Sequence, residues 1–189
     1  MRLHLIPALL MATTFVASAP ARADYQMTVT LNGAQERPTP VATPGTGVGS
    51  VFLNEADRTL TINLSSRDLT SDITGAHIHL VAPGTPDPTN AVGPVVFNII
   101  ARSGLTAPLI GSASSFAFPT TVFTNLTPAQ ITAFFEGRAY FNIHTQNFPA
   151  GEIRGNLAAV PEPSSLDLSA SGAAGLLILA RRRRRATAS

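Results

Sequence analysis

Polar and apolar residues alternate with a period of two along much of the middle of this chain, a pattern that strands with one buried face satisfy and helices do not. Tyr25 to Leu31 sets Tyr, Met, Val and Leu against Gln and Thr. The alternation recurs in two matched segments, GAHIHLVAPGTPDPTNAVGPVVFNI (75–99) and AYFNIHTQNFPAGEIRGNL (139–157), each a strand followed by a Pro/Gly loop. In the first, Ala76, Ile78 and Leu80 share a face, so His77 and His79 point the other way. In the second, Ala139, Phe141 and Ile143 share a face, so Tyr140, Asn142 and His144 point the other way. Three histidines therefore stand on the less apolar faces of two strands, either as a site or as decoration of a surface.

The rest of the middle reads as more short strands. Apolar runs at 48–53 and 60–64 flank a loop at 54–58 and predict a hairpin. Residues 32–47, rich in Gly, Pro and Thr, read as loop, as does the proline-rich stretch 82–94. Strands are expected at 73–81, 95–100 and 112–118, and a closing hairpin pairs 139–144 with 152–157. One helix is signalled near 128–136. Thr127 can cap it, Pro128 takes the first helical position, Gln130 closes a capping box and Gly137 ends it. Many short strands with turn signals and one short helix predict an all-β fold, an antiparallel β-sandwich or barrel.

The two ends read differently. Met1-Arg2, an apolar run from Leu5 to Ala19, and Ala21-Arg22-Ala23 form a secretory signal peptide over 1–23, with Asp24 as the first mature residue. At the other end, 159–189, Val160-Pro161-Glu162-Pro163 is stiff and extended because each proline fixes its own φ and restricts its predecessor. A weakly apolar stretch to Ala180 and five arginines, Arg181 to Arg185, follow. As a helix, the stretch from Leu166 to Ala180 would reach about 22 Å, short of a hydrocarbon core of about 30 Å. Arginine runs stay on the cytoplasmic side, so both ends specify the same topology.

This tail resembles the PEP-CTERM sorting signal of Gram-negative bacteria: a Pro-Glu-Pro motif, an apolar helix and a terminal basic cluster. The resemblance implies transient anchoring in the inner membrane. It also implies recognition of Pro161, Glu162 and Pro163 by an exosortase, a membrane-embedded cysteine peptidase, and release towards the cell surface or the extracellular space.

Without its ends the chain changes character. The full sequence carries a formal charge of +2, but residues 24–159 hold six arginines against nine acids, a net −3. The basic balance belongs to the ends, which removes the electrostatic case for nucleic-acid binding. The sequence contains no cysteine, so disulfides, thiolate metal sites and a cysteine nucleophile are excluded. No Gly-x-Ser-x-Gly elbow, phosphate loop or dinucleotide fingerprint is present.

The set Ala76-His77-Ile78-His79, Gly93-Pro94-Val95-Val96, Tyr140-Phe141-Asn142-Ile143-His144-Thr145 and Pro149-Ala150-Gly151-Glu152-Ile153-Arg154-Gly155 resembles the CHRD domain, a module named from chordin and present in many exported bacterial proteins. The resemblance runs over roughly 24–158 and implies an Ig-like antiparallel β fold. It implies no activity, and a non-enzymatic binding or structural role at the cell envelope or extracellular matrix, with a matrix protein or polysaccharide as partner, is the first expectation. The second is a mononuclear copper or zinc site. His77 and His79 at i, i+2 present two imidazoles on one strand, and His144 would complete a three-nitrogen set. The His-x-His strand is similar to that of copper/zinc superoxide dismutase, and redox chemistry of that kind would need both the metal and an open coordination position. Asp87, in the 82–94 loop, is the one nearby acid available as an oxygen ligand, and Glu152 and Arg154 are expected to share a strand face and to form a structural ion pair with each other or with a neighbour. Intact-mass spectrometry of the exported protein tests the signal peptide directly: Asp24 is the expected N-terminal residue.

Overall fold

The computed structural model describes residues 24–158, so the expected signal peptide and the Pro161-Glu162-Pro163 tail lie outside the described residues. Nine strands alternate with two short helices: β1 (Tyr25–Asn32), β2 (Thr46–Asn54), β3 (Thr59–Arg67), β4 (Ile73–Leu80), β5 (Val95–Asn98), α1 (Ile99–Arg102), β6 (Ser115–Ala117), β7 (Thr121–Phe123), α2 (Pro128–Phe135), β8 (Ala139–Thr145) and β9 (Ile153–Asn156). All pairings are antiparallel and run β5-β4-β8-β9-β1-β2-β3-β6, with β7 also on β3. No helix among the described residues is long and apolar enough to cross a membrane.

The all-β antiparallel expectation holds, and the strands form one continuous, curled sheet. A single ladder pair, Asn32 with Arg154, joins β1 to β9 and marks the corner between the two halves. Curling brings the two ends of the sheet together. The Phe97 ring on β5 and the Phe123 ring on β7 meet edge to face with centroids 5.0 Å apart, and Phe134 of α2 lies 6.1 Å from Phe97. Inside lies one apolar cluster that includes Leu31, Val51, Ile62, Ile78, Phe141, Ile143 and Ile153.

Local chemistry explains most boundaries. The capping box of α2 forms as the sequence predicts: Gln130 N–H donates to Thr127 Oγ1 at 3.2 Å, and Thr127 N–H donates to Gln130 Oε1 at 2.8 Å. The expected strand at 95–100 stops early instead. Asn98 accepts from Ala101 N–H at 3.0 Å and starts α1, turning Ile99 and Ile100 into the core from a helical turn. Strand β7, three residues long, has no sequence expectation behind it and is held by its pairing to Leu60–Ile62.

Strand β8 occupies the position that matters most for the site. It lies between β4 and β9, and all of its residues except His144 are buried. Ala139, Phe141 and Ile143 face the apolar interior. The opposite face is roofed by the segments 33–41, 82–94 and 146–152, so Tyr140 and Asn142 are buried as well, at 3% and 5% exposure. Truncating Phe141 to alanine is expected to cost about 3–5 kcal/mol in urea unfolding, against about 1 kcal/mol for Thr127→Ala at the helix cap.

Candidate functional site

The polar face of β4 and β8 is built by register. His79 pairs with Tyr140, His77 with Asn142 and Gly75 with His144, so these side chains stand side by side. The three histidines singled out by the sequence are brought together. Ring centroids lie 5.0 Å apart for His77 and His144, 5.7 Å for His77 and His79, and 5.9 Å for His79 and His144. One ring nitrogen from each lies within 4.8 Å of the other two. Gly75 makes room for them, because a β-carbon there would sit 2.9 Å from His77 Cε1 and 3.2 Å from His144 Cδ2.

Backbone carbonyls fix two of the rings. His79 Nδ1–H donates to the Gly93 carbonyl at 2.9 Å, and His144 Nδ1–H donates to the Pro149 carbonyl at 3.0 Å. A carbonyl can only accept, so Nδ1 carries the proton in both rings and Nε2 carries the lone pair. Those Nε2 atoms, together with His77 Nδ1, are buried and have no hydrogen-bond partner. Three partnerless nitrogens in one histidine cluster are unusual, because buried polar atoms are nearly always paired. A metal bound to imidazole nitrogens at about 2.0–2.1 Å would require these donors to stand about 3.4 Å apart, a contraction on the order of 1 Å. The carbonyl contacts are the outer-shell support that such ligands ordinarily have.

Electrostatics keep the rings neutral. Burial, then the neighbouring His144 and His79, pushes the His77 pKa down to about 4. Burial lowers His79 too, against the Gly93 hydrogen bond, with His144 and Arg154 adding to the fall. Burial likewise lowers His144 against its Pro149 contact. Neutral imidazole is the form that binds a metal.

A second set of buried groups adjoins the histidines. The Tyr140 ring stacks on His79 with centroids 4.8 Å apart and planes 6° apart, and the guanidinium of fully buried Arg154 lies 3.6 Å from the Tyr140 centroid. Because β8 lies between β4 and β9, the three side chains follow in the order His79, Tyr140, Arg154. Arg154 also donates to the Thr89 carbonyl at 3.2 Å, and Gly93 N–H donates to Tyr140 Oη at 3.1 Å, tying the 82–94 loop over the site. Glu36, 2% exposed, accepts from Asn142 Nδ2 at 3.3 Å. Gly151, at φ +134°, leaves space for that pair; a β-carbon there would lie 2.6 Å from Asn142 Oδ1. Burial raises the Glu36 pKa to about 7 despite Arg154, Asn142 and Arg37.

Two sequence expectations change here. Asp87 does not join the cluster. Its carboxylate caps a short 3₁₀ turn by accepting from Thr89 and Asn90, and among the described residues the donor set is His77, His79 and His144 alone. Glu152 and Arg154 do not pair. The Ile143 carbonyl accepts the Glu152 N–H at 2.8 Å while Ile143 also pairs with Ile153, a bulge-like doubling that breaks the alternation before Arg154. Glu152 then accepts from Thr43, Thr70 and Thr145, and Glu36 is the acid whose charge acts on Arg154. Glu36 is the site residue that sequence reasoning missed and Arg154 the one it misread; an acid 106 positions from its amide partner leaves no local signal.

The Glu36 shift has a worked sign. A carboxyl that titrates near 4.5 when unfolded and near 7 when folded adds stability in full below pH 4.5, and that contribution is lost as pH rises to 7. Glu36→Gln keeps a neutral side chain at every pH. Its melting temperature relative to wild type is expected to climb between pH 4.5 and 7 and level off above, whereas parallel curves would show Glu36 ionised throughout.

Comparison with known families identifies two segments of the chain. Residues 27–157 match the CHRD domain, and residues 159–185 match the PEP-CTERM protein-sorting motif. No curated protein and no solved structure matches the chain. The chain belongs to the CHRD-domain family and carries the sorting motif that marks a protein for export and processing by an exosortase.

Proposed function

We propose that this exported CHRD-domain protein is a mononuclear metal-binding protein, with copper or zinc held by His77, His79 and His144. The observation that carries this reading is the set of three buried nitrogens without partners, two of them on rings whose far nitrogens are fixed by backbone carbonyls. A decorated surface would leave such atoms to water, and a structural cluster would hydrogen-bond them to one another or to the backbone. The donor chemistry suits late first-row ions, for which imidazole is a preferred ligand.

The role is non-enzymatic: metal capture or display on a β scaffold. Among the described residues no acid joins the three histidines, and Tyr140 and Arg154 are engaged in stacking and in holding the 82–94 loop. The tail supplies the address. Exosortase processing after transient inner-membrane anchoring would deliver the protein to the cell surface or the extracellular matrix, where a matrix protein or polysaccharide would be its neighbour.

Metal analysis of protein exported by its native host tests the proposal. About one equivalent of copper or zinc per chain is expected, falling by about tenfold or more in His79→Ala and His144→Ala variants that keep the β-rich circular dichroism of the wild type. Less than a tenth of an equivalent in the wild type overturns it. Added ion should also raise the melting temperature, since saturation at about 100 times the dissociation constant stabilises by about 2.7 kcal/mol.

A further inference from the structure

The charge balance around the three histidines constrains which ion they take. The donor set contains imidazoles alone, with no carboxylate or thiolate among the described residues that could offset the charge of an ion. The charge nearest to it on the polar face is positive: Arg154, fully buried and one aromatic ring beyond His79. Arg37 stands farther out in the same roof, bonded to Asn90 at 2.7 Å. The acids do not compensate. Asp87 is exposed and turned to its own 3₁₀ turn, Glu152 is enclosed by threonines, and Glu36 is buried against Asn142. Burial favours the protonated, neutral form of Glu36 up to about pH 7.

Resting on the metal-binding reading, we infer that the site selects monovalent copper over divalent zinc or copper(II), and that a divalent ion enters only together with an anion as fourth ligand. Three imidazoles in a trigonal array satisfy Cu(I) without further charge. A divalent ion brings a second positive charge into a half-buried place beside a fixed guanidinium. At an effective dielectric constant near 20 and a separation of about 8 Å, that extra charge alone disfavours binding by about 30-fold. Hydroxide or another small anion on the open position would cancel it, which makes divalent binding dependent on pH and anions where Cu(I) binding is not.

The experiment uses the exported protein, stripped of metal and titrated anaerobically. Cu(I) is supplied against bicinchoninate, and Zn(II) against 4-(2-pyridylazo)resorcinol. One equivalent of Cu(I) is expected, with a dissociation constant lower than that of Zn(II) by about 30-fold or more. Between pH 7 and 8, in a Glu36→Gln background that holds that side chain neutral, the zinc affinity should rise by up to about tenfold, as one hydroxide is taken up, while the Cu(I) affinity stays constant. His144→Ala should abolish both. Zinc bound as tightly as Cu(I), or zinc affinity flat with pH, overturns the selectivity while leaving the three-histidine site standing. Failure of both ions to bind removes the site itself and this inference with it.

Discussion

Burial of β8 on both faces is the constraint from which the rest follows. A central strand can bury one apolar face at little cost, and Ala139, Phe141 and Ile143 do so. Burying the other face as well commits Tyr140 and Asn142 to low-dielectric surroundings, where every polar atom needs a partner. Much of the roof can be read as the answer to that demand. Gly93 meets Tyr140 and His79, Pro149 meets His144, and Glu36 meets Asn142. The three covering segments are otherwise loops, rich in Gly, Pro and Thr, with little apolar surface of their own. Their order depends on hydrogen bonds to β8 and β9, and the shape of the site depends on their order.

Arg154 links the two layers. It comes from β9, paired to Asn142 in the ladder, and it reaches Pro88 and Thr89 in the 82–94 loop and the face of Tyr140. A fully buried guanidinium is costly unless its donors are satisfied and its charge is balanced. Carbonyls and a ring face satisfy the donors, and the charge is left without a close carboxylate bond. Burial is the main force lowering the His79 pKa and that residual positive field adds to it, while the same field opposes the desolvation that raises Glu36.

What the sequence made legible was direction. Period-two alternation put His77, His79 and His144 opposite the apolar residues of their strands, and the register then set them side by side. It also located the capped helix at Thr127. It could not tell whether the face opposite the core was open to water, because alternation reports which side is apolar and says nothing of a roof. That roof comes from contacts across large separations: Asn142 to Glu36 spans 106 residues, and Arg154 to Thr89 spans 65. Glu152 was misread for a local reason, since the doubling of Glu152 and Ile153 opposite Ile143 interrupts the period on which the inference of a shared face rested.

The site holds two kinds of unmet demand, and they call for different remedies. Glu36 Oε1 and Asn142 Oδ1 are both acceptors without donors, and a single carboxyl proton on Glu36 supplies a donor where there was none. Burial raises this carboxyl to about 7 in spite of the nearby guanidinium, so the proton is held over much of the acid range. The imidazoles differ. Three nitrogens lie together, and a neutral His77 carrying its proton on Nδ1 donates to at most one of the other two, which leaves the third unmet. A centre that accepts several lone pairs at once would meet all three, which is the chemistry of the proposed ion. Protonation of Glu36 would meet one polar cluster and the proposed ion the other, with Tyr140 and Arg154 standing between the two.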